Sequence, residues 1–167
     1  IIECTFSNDK SLIKSLDKII IESEIAVRQG TTQLILTDIT VSEEKIAIPM
    51  LLCVGAINKH LIKKKLRGYV SINVQTGEAL DTHSFATILG VGATTINPYL
   101  ALDSLYQRYE KKLFGKLKYE ECIKRYIKSV NFGLLKIMSK MGISVLSSYR
   151  GGCNFEALGL SRTIVSD

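Results

Sequence analysis

Apolar residues change their spacing repeatedly along this chain, and each change predicts an element. Residues 1–6 are apolar and β-prone and read as a strand. Ser7-Asn8-Asp9 offers N-cap oxygens, and Leu12, Leu16, Ile19, Ile20 and Ala26 then recur at helical spacing with charged residues between them. Gly30 is the expected stop of that helix. Leu34-Ile35-Leu36 is a continuous apolar run, the pattern of a strand buried on both faces of a parallel sheet, and it ends in Thr37-Asp38. Residues 39–45 read as a polar loop. Pro49 opens a helix that runs to about Lys65, with Gly68 as its stop. Val70, Ile72 and Val74 alternate with Ser71 and Asn73, a strand closed by Thr76-Gly77. Residues 79–89 read as a helix, Gly90-Val91-Gly92-Ala93 as a turn, and Thr94-Thr95-Ile96 as a short strand broken by Asn97-Pro98. Two helices follow, 99–112 and 119–141, separated by Gly115. Gly142 leads into a predicted strand at 143–146, a loop at 147–152 and a short helix at 154–158.

Strands that alternate with helices in this way predict an α/β fold. Its sheet is mostly parallel with flanking helices, built as an incomplete barrel or as open βαβ repeats. No Ser/Gly linker or low-complexity tract interrupts the 167 residues, a length that suits one domain with its own core. On such a sheet, functional side chains belong just past the carboxyl ends of the strands. The candidates are Asp38, Gln75-Thr76-Gly77-Glu78, Asn97 and the loop Ser147–Arg150. Topology would bring these separate segments to one edge.

Composition narrows the chemistry. Hydrophobic residues make up 46% and charged residues 23%, which excludes general disorder. The longest apolar stretch, Met50–Ile57, falls far short of the ~20 residues that span a bilayer. The net charge is +6, concentrated between Gln107 and Lys128, where eight bases face three acids. No aromatic residues interleave with those bases as a base-stacking surface requires, so a solvated helical face is expected there and no nucleic-acid partner. Cys4, Cys53, Cys122 and Cys153 form no CxxC pair and are expected as buried free thiols, with no metal among them. Gly90-x-Gly92 precedes a strand instead of following one, so it reads as a tight turn and not as a phosphate loop. His83 follows Glu78 and Asp81 and is expected as a buried or helix-capping histidine. His60, beside Lys59 and Lys63, is expected to be exposed. Ser147-Ser148-Tyr149-Arg150-Gly151-Gly152 combines hydroxyls, an arginine and glycines. Two uses stand open for it, a small-anion site or a turn that docks on a neighbouring domain.

Longer strings carry more than spacing. Ala47-Ile48-Pro49-Met50-Leu51-Leu52, Gly77-Glu78-Ala79 and Gly90-x-Gly92-Ala93 through Asn97-Pro98-Tyr99-Leu100-Ala101 are three of them. The fourth runs from Gly133-Leu134-Leu135-Lys136 through Met138-Ser139-Lys140-Met141-Gly142-Ile143-Ser144 to Ser148-Tyr149-Arg150-Gly151 and Phe155-Glu156-Ala157. Together, and in this order, they resemble the central domain of the glutamate synthase large subunit. The chain departs from that family at Asn58-Lys59, where histidines are usual, and at Gly152-Cys153, where Ala-Gln is usual.

The resemblance implies a parent enzyme that converts glutamine and 2-oxoglutarate into two glutamates. Residues 1–160 would be the C-terminal part of its central domain, and 161–167 the start of the connection to an FMN domain. The partners implied are the amidotransferase and FMN domains of the same polypeptide, with ferredoxin or an NADPH-oxidising subunit as electron donor. FMN and a 3Fe-4S cluster would belong to the parent and not to this segment, which would link the two active sites and support ammonia channelling. The chain opens on Ile1-Ile2-Glu3, and it is expected to be a piece of a longer protein that is inactive alone. The location implied is cytoplasm or plastid stroma. No catalytic residue is implied here. Asp38, Glu78, His83, Asn97, Ser148 and Arg150 are expected to fix loops at domain junctions.

Overall fold

The computed structural model describes residues 1–152, 154–156, 158 and 159. The elements run in chain order as β1 (Ile2–Glu3), β2 (Thr5–Ser7), α1 (Leu12–Arg28), β3 (Gln33–Thr37), β4 (Lys45–Ala47) and α2 (Met50–Lys63). A 3-10 turn (Arg67–Tyr69) precedes β5 (Ser71–Gln75) and α3 (Thr82–Gly90). β6 (Thr95–Asn97), α4 (Tyr99–Glu110), α5 (Tyr119–Lys140) and α6 (Leu146–Tyr149) complete the described chain. Among the described residues, four strands form one sheet in the order β1-β3-β5-β6, every pair parallel. The fold is α/β with an open sheet and no closed barrel, as expected.

The strand order never reverses. Each right-handed crossover therefore lays its helix on the same face of the sheet as the one before. Ile2, Leu36, Val74 and Ile96 share one row of the register, Leu34 and Ile72 another. These residues form the face that α1, α2 and α3 cover, and the core joins them to Ile19, Val27, Val54, Ile57, Leu61 and Ile88. Burying each such side chain contributes about 1.5–3 kcal/mol. The opposite face carries Glu3, Gln33, Ile35, Thr37, Asn73, Gln75, Thr95 and Asn97. Its side chains bond one another across strands, Thr37 Oγ1 to Gln75 Oε1 at 2.9 Å and Thr95 Oγ1 to Asn73 Oδ1 at 2.7 Å. The expectation of a strand buried on both faces fails at Ile35, which is 38% exposed on that polar face.

The first strand is two. Cys4 breaks it: its N–H donates to Thr37 O at 2.7 Å, while its carbonyl accepts from Ile48 N at 2.9 Å. Before Cys4 the chain pairs with β3. After it, β2 pairs antiparallel with β4, so the predicted polar loop at 39–45 ends in a strand that sequence spacing did not show.

All five long helices end in the same way. After α1, Gly30 N donates to Val27 O and Thr31 N to Ala26 O. This pair of bonds satisfies carbonyls that the helix end would leave orphaned, and it needs a left-handed residue. Gly30, Gly92 and Gly142 supply it after α1, α3 and α5, at φ +91°, +130° and +70°. Lys65 and Lys112 supply it after α2 and α4, at φ 58° and 56°. The stop of α2 is thus Lys65, not Gly68.

This helix ending also explains why the predicted strand at 143–146 is absent. Ile143 N donates to Met138 O at 2.9 Å, closing the end of α5, and its side chain packs on the core. Val145 then caps α6, where Ser148 N donates to its carbonyl at 3.1 Å. Residues 154–156 are not helical, and Ala157 lies outside the described residues, as do Cys153 and 161–167.

Helices α1 and α2 are pinned by Glu24. It meets His60 Nε2 at 2.5 Å, Arg28 Nη2 at 2.7 Å and Lys64 Nζ at 3.7 Å. His60 is therefore half-buried and paired, not exposed as its lysine neighbours suggested. The bond to His60, then the bond to Arg28, holds the Glu24 carboxyl down to about 2 from its ordinary 4.5.

Two outcomes follow from this packing. A depressed carboxylate contributes stability that is complete above about pH 4.5 and is lost as pH falls towards 2. Glu24→Gln should flatten urea-measured stability against pH across that window and leave the slope above it unchanged. Gly92→Ala adds strain at φ +130° and a Cβ 2.4 Å from Asn58 Cγ, whereas Gly30→Ala meets open space. The first should lower stability by about 3 kcal/mol and the second by about 1 kcal/mol in urea unfolding.

Candidate functional site

Asp38 follows β3 and is 2% exposed. A buried carboxylate is costly unless its oxygens are met by donors. Thr76 Oγ1 donates to Oδ2 at 2.5 Å, and Gly77 N lies 3.2 Å from both oxygens. The Tyr99 hydroxyl, at the start of α4, bonds the same carboxylate. Burial, followed by the Asp38 charge, pushes the Tyr99 hydroxyl above its usual range. Gly77 is small because a Cβ there would stand 3.1 Å from that hydroxyl.

The network continues along the strand ends. Asp38 N donates to Gln75 O at 3.3 Å, and Thr76 N to Asn97 O at 3.0 Å, so the ladder outlasts the strands. Thr76 Oγ1 also accepts from Glu78 N at 3.1 Å. Glu78 Oε2 then accepts from Met50 N at 3.0 Å. Pro49 precedes that N–H and has none of its own, so Glu78 supplies the cap that α2 lacks. The carboxyl of Glu78 is pushed above its usual range, first by burial and to a lesser degree by the Asp38 charge.

Cys4 and Cys53 lie beneath this edge, both fully buried, with their thiols against each other. That contact and the surrounding burial raise the Cys53 thiol, which is therefore inert as a nucleophile. Cys122 is buried on α5. Among the described residues no three His, Cys, Asp or Glu side chains converge as a metal site. No buried side-chain polar atom among them lacks a partner. The arrangement ties the ends of β3, β5 and β6 to the first turns of α2 and α4.

Three of the six predicted residues meet here: Asp38, Glu78 and Asn97. His83 is the second residue of α3, exposed, with its ring edge-on to Phe155 at 6.3 Å. It is neither buried nor the cap. Asp81 caps α3 instead, accepting from Ser84 N and Ser84 Oγ, each at 2.8 Å. Ser148 and Arg150 do not join the edge. No strand carries them there, and Gly151 N bonds Gly90 O at 2.8 Å beside the amino ends of β5 and β6. Spacing missed Tyr99, although it follows the end of β6 and the strand-end rule reaches it. The Gln107–Lys128 bases are exposed on α4, on α5 and on the connection between them, with Arg125 paired to Glu121 at 2.9 Å. Among the described residues, no helix is long and apolar enough to cross a membrane.

Comparison with known proteins adds the rest. Residues 1–161 match the family described as glutamate synthase central domain. The chain is 50% identical to the glutamate synthase [NADPH] large chain of Azospirillum brasilense, over 99% of the chain and 11% of that protein. It is 45% identical to the glutamate synthase [NADPH] large chain of Bacillus subtilis (strain 168), over 98% of the chain and 11% of that protein. It is 42% identical to the ferredoxin-dependent glutamate synthase, chloroplastic, of Spinacia oleracea, over 93% of the chain and 10% of that protein. The chain thus spans about a tenth of the length of these curated relatives.

A buried acceptor with all its donors in place is expensive to delete. Asp38→Ala should lower stability by about 3 kcal/mol in urea unfolding, because Thr76, Gly77 and Tyr99 lose one shared partner. Asn97→Ala, whose exposed side chain is outside the network, should stay within about 0.5 kcal/mol. Equal effects would contradict the latch.

Proposed function

The chain belongs to the glutamate synthase central domain family, and we propose that it works within a glutamate synthase polypeptide as a rigid, non-catalytic link. That polypeptide converts glutamine and 2-oxoglutarate into two glutamates. One observation carries this reading: the strand-end network around Asp38 is closed on itself, and among the described residues no buried side-chain polar atom lacks a partner. A segment between a site that releases ammonia and a site that consumes it needs walls that neither move nor react. A closed network supplies such walls.

Two further features support it. On α5, Ile127, Phe132 and Leu135 are 48%, 71% and 61% exposed and lie close together, an apolar surface that a neighbouring domain would cover. Relatives named for NADPH and for ferredoxin match the chain at similar identity, so the electron donor is set by segments outside it. FMN and the 3Fe-4S cluster are assigned to those segments too. The amidotransferase and FMN domains of the same polypeptide are the partners, with the region after residue 160 leading towards the FMN domain. Cytoplasm or plastid stroma is the compartment.

Glu78 tests the link, since it joins the β5 end to the start of α2 and touches no substrate. In the complete enzyme, Glu78→Ala should keep glutaminase and 2-oxoglutarate-dependent steps within about twofold when assayed separately. Glutamate formed per glutamine hydrolysed should fall, with free ammonia appearing in the medium. Selective loss of one half-reaction without ammonia release would give Glu78 a part in the chemistry and overturn the reading.

A further inference from the structure

β6 is the outermost strand of the sheet, and among the described residues no strand pairs with its far side. A strand in that position shows backbone groups that the sheet does not use. The register says which they are. Ser71 N donates to Thr32 O and Asp38 N to Gln75 O, so Ser71, Asn73 and Gln75 turn their backbone groups towards β3. Ile72, Val74 and Thr76 therefore serve β6. Thr94 N, just ahead of that strand, donates to Ile72 O at 2.6 Å, and Thr76 N donates to Asn97 O at 3.0 Å. Within β6, Thr95 and Asn97 thus face β5, and the Ile96 N–H and carbonyl point off the edge of the sheet.

That edge borders an apolar cavity of about 350 Å³, lined by Thr94, Thr95, Ile96 and Pro98. Consecutive side chains of a strand point to opposite faces, so a cavity that touches all of these runs along the edge and not over one face. Helices α3, α4 and α5 form the other walls through Leu89, Leu102 and Val130 among others. Ile127 and Asn131 line this cavity and also a second, of about 390 Å³, which follows α5 past Phe132 and Leu135. The two make one apolar path from the sheet edge to the exposed apolar residues of α5. Of the described residues lining it, Lys124 and Lys128 are charged and none is acidic. Glu121, one turn before Lys124, is paired with Arg125 at 2.9 Å.

Such a path selects its occupant. The Ile96 N–H and carbonyl call for an acceptor and a donor on a chain lying alongside them. An extended backbone offers both, whereas a helix spends its own within itself. The apolar walls call for aliphatic side chains, and Lys124 and Lys128 for an acid. We propose that a strand from another part of the same polypeptide adds to β6, pairs with Ile96, sets aliphatic side chains into the cavity and places a carboxylate beside Lys124 and Lys128. This rests on the reading that the chain works inside a longer polypeptide, and it gives the form of one contact made there.

Hydrogen exchange on the complete polypeptide, read at single amides, tests it. The Ile96 N–H should exchange at least about a hundredfold slower than in an unstructured chain. Ile127→Asp puts a charge into the apolar wall, at a position exposed enough to tolerate it, and Lys124→Glu repels the incoming acid. Each should speed exchange at Ile96 at least about tenfold and leave the Val74 N–H, inside the sheet, unchanged. Lys111→Glu, at the exposed end of α4, should change neither amide. Exchange of Ile96 at its unstructured rate, or slow exchange that neither variant speeds, would overturn the added strand. Slow exchange that sets in only as protein concentration rises would give the edge to a second copy and overturn it too. Failure of the linking role is read separately, from the ammonia that Glu78→Ala releases.

Discussion

Asp38 carries its charge at 2% exposure, and such a carboxylate persists in a fold only when donors surround it. The donors come from three places: Thr76 and Gly77 after β5, and Tyr99 at the start of α4. Thr76 in turn holds Asn97 and Glu78, and Glu78 holds the first turn of α2. Positions of two helices and three strand ends therefore depend on one buried charge. The same donors fix the carboxylate in orientation and keep it away from solvent.

The sheet imposes the second constraint. Strand order without reversal puts α1, α2 and α3 on one face, so that face alone is apolar. The other face is stitched by hydroxyl and amide side chains. Parallel sheets are usually covered on both sides. A bare polar face on one side and an apolar stripe on α5 fit the proposed place of the chain within a longer polypeptide. That agrees with a chain spanning about a tenth of its relatives.

Much of the candidate site was legible from spacing. Asp38 and Glu78 follow strands read from a continuous apolar run and from plain alternation, Asn97 closes a short strand before Pro98, and the rule that places ligands at carboxyl strand ends brought them together. Ser148 and Arg150 were sent to the same edge by a strand that does not form. A glycine followed by an apolar residue is the pattern of a helix end closed by its own Schellman turn, and equally the pattern of a strand beginning after a turn. Ile143 satisfies the first, bonding back to Met138, and its side chain packs partly buried on the core without any strand.

Local pattern was enough for the alternation of strands and helices, for the buried rows Leu34/Leu36 and Ile72/Val74, and for the family. Periodicity reports which side of an element is buried, and that needs no neighbour. The tertiary structure decided what faces what. It split the first strand at Cys4, where backbone bonds to Thr37 and Ile48 pull in two directions. It put left-handed lysines at 65 and 112, a conformation no lysine prefers, because packing set where α2 and α4 must end. It joined Glu24 to His60 across two helices and brought the Gly151 N–H to the Gly90 carbonyl from far along the chain. Such pairs depend on register and crossover geometry, which arise only when elements pack, so no spacing along one element could have announced them.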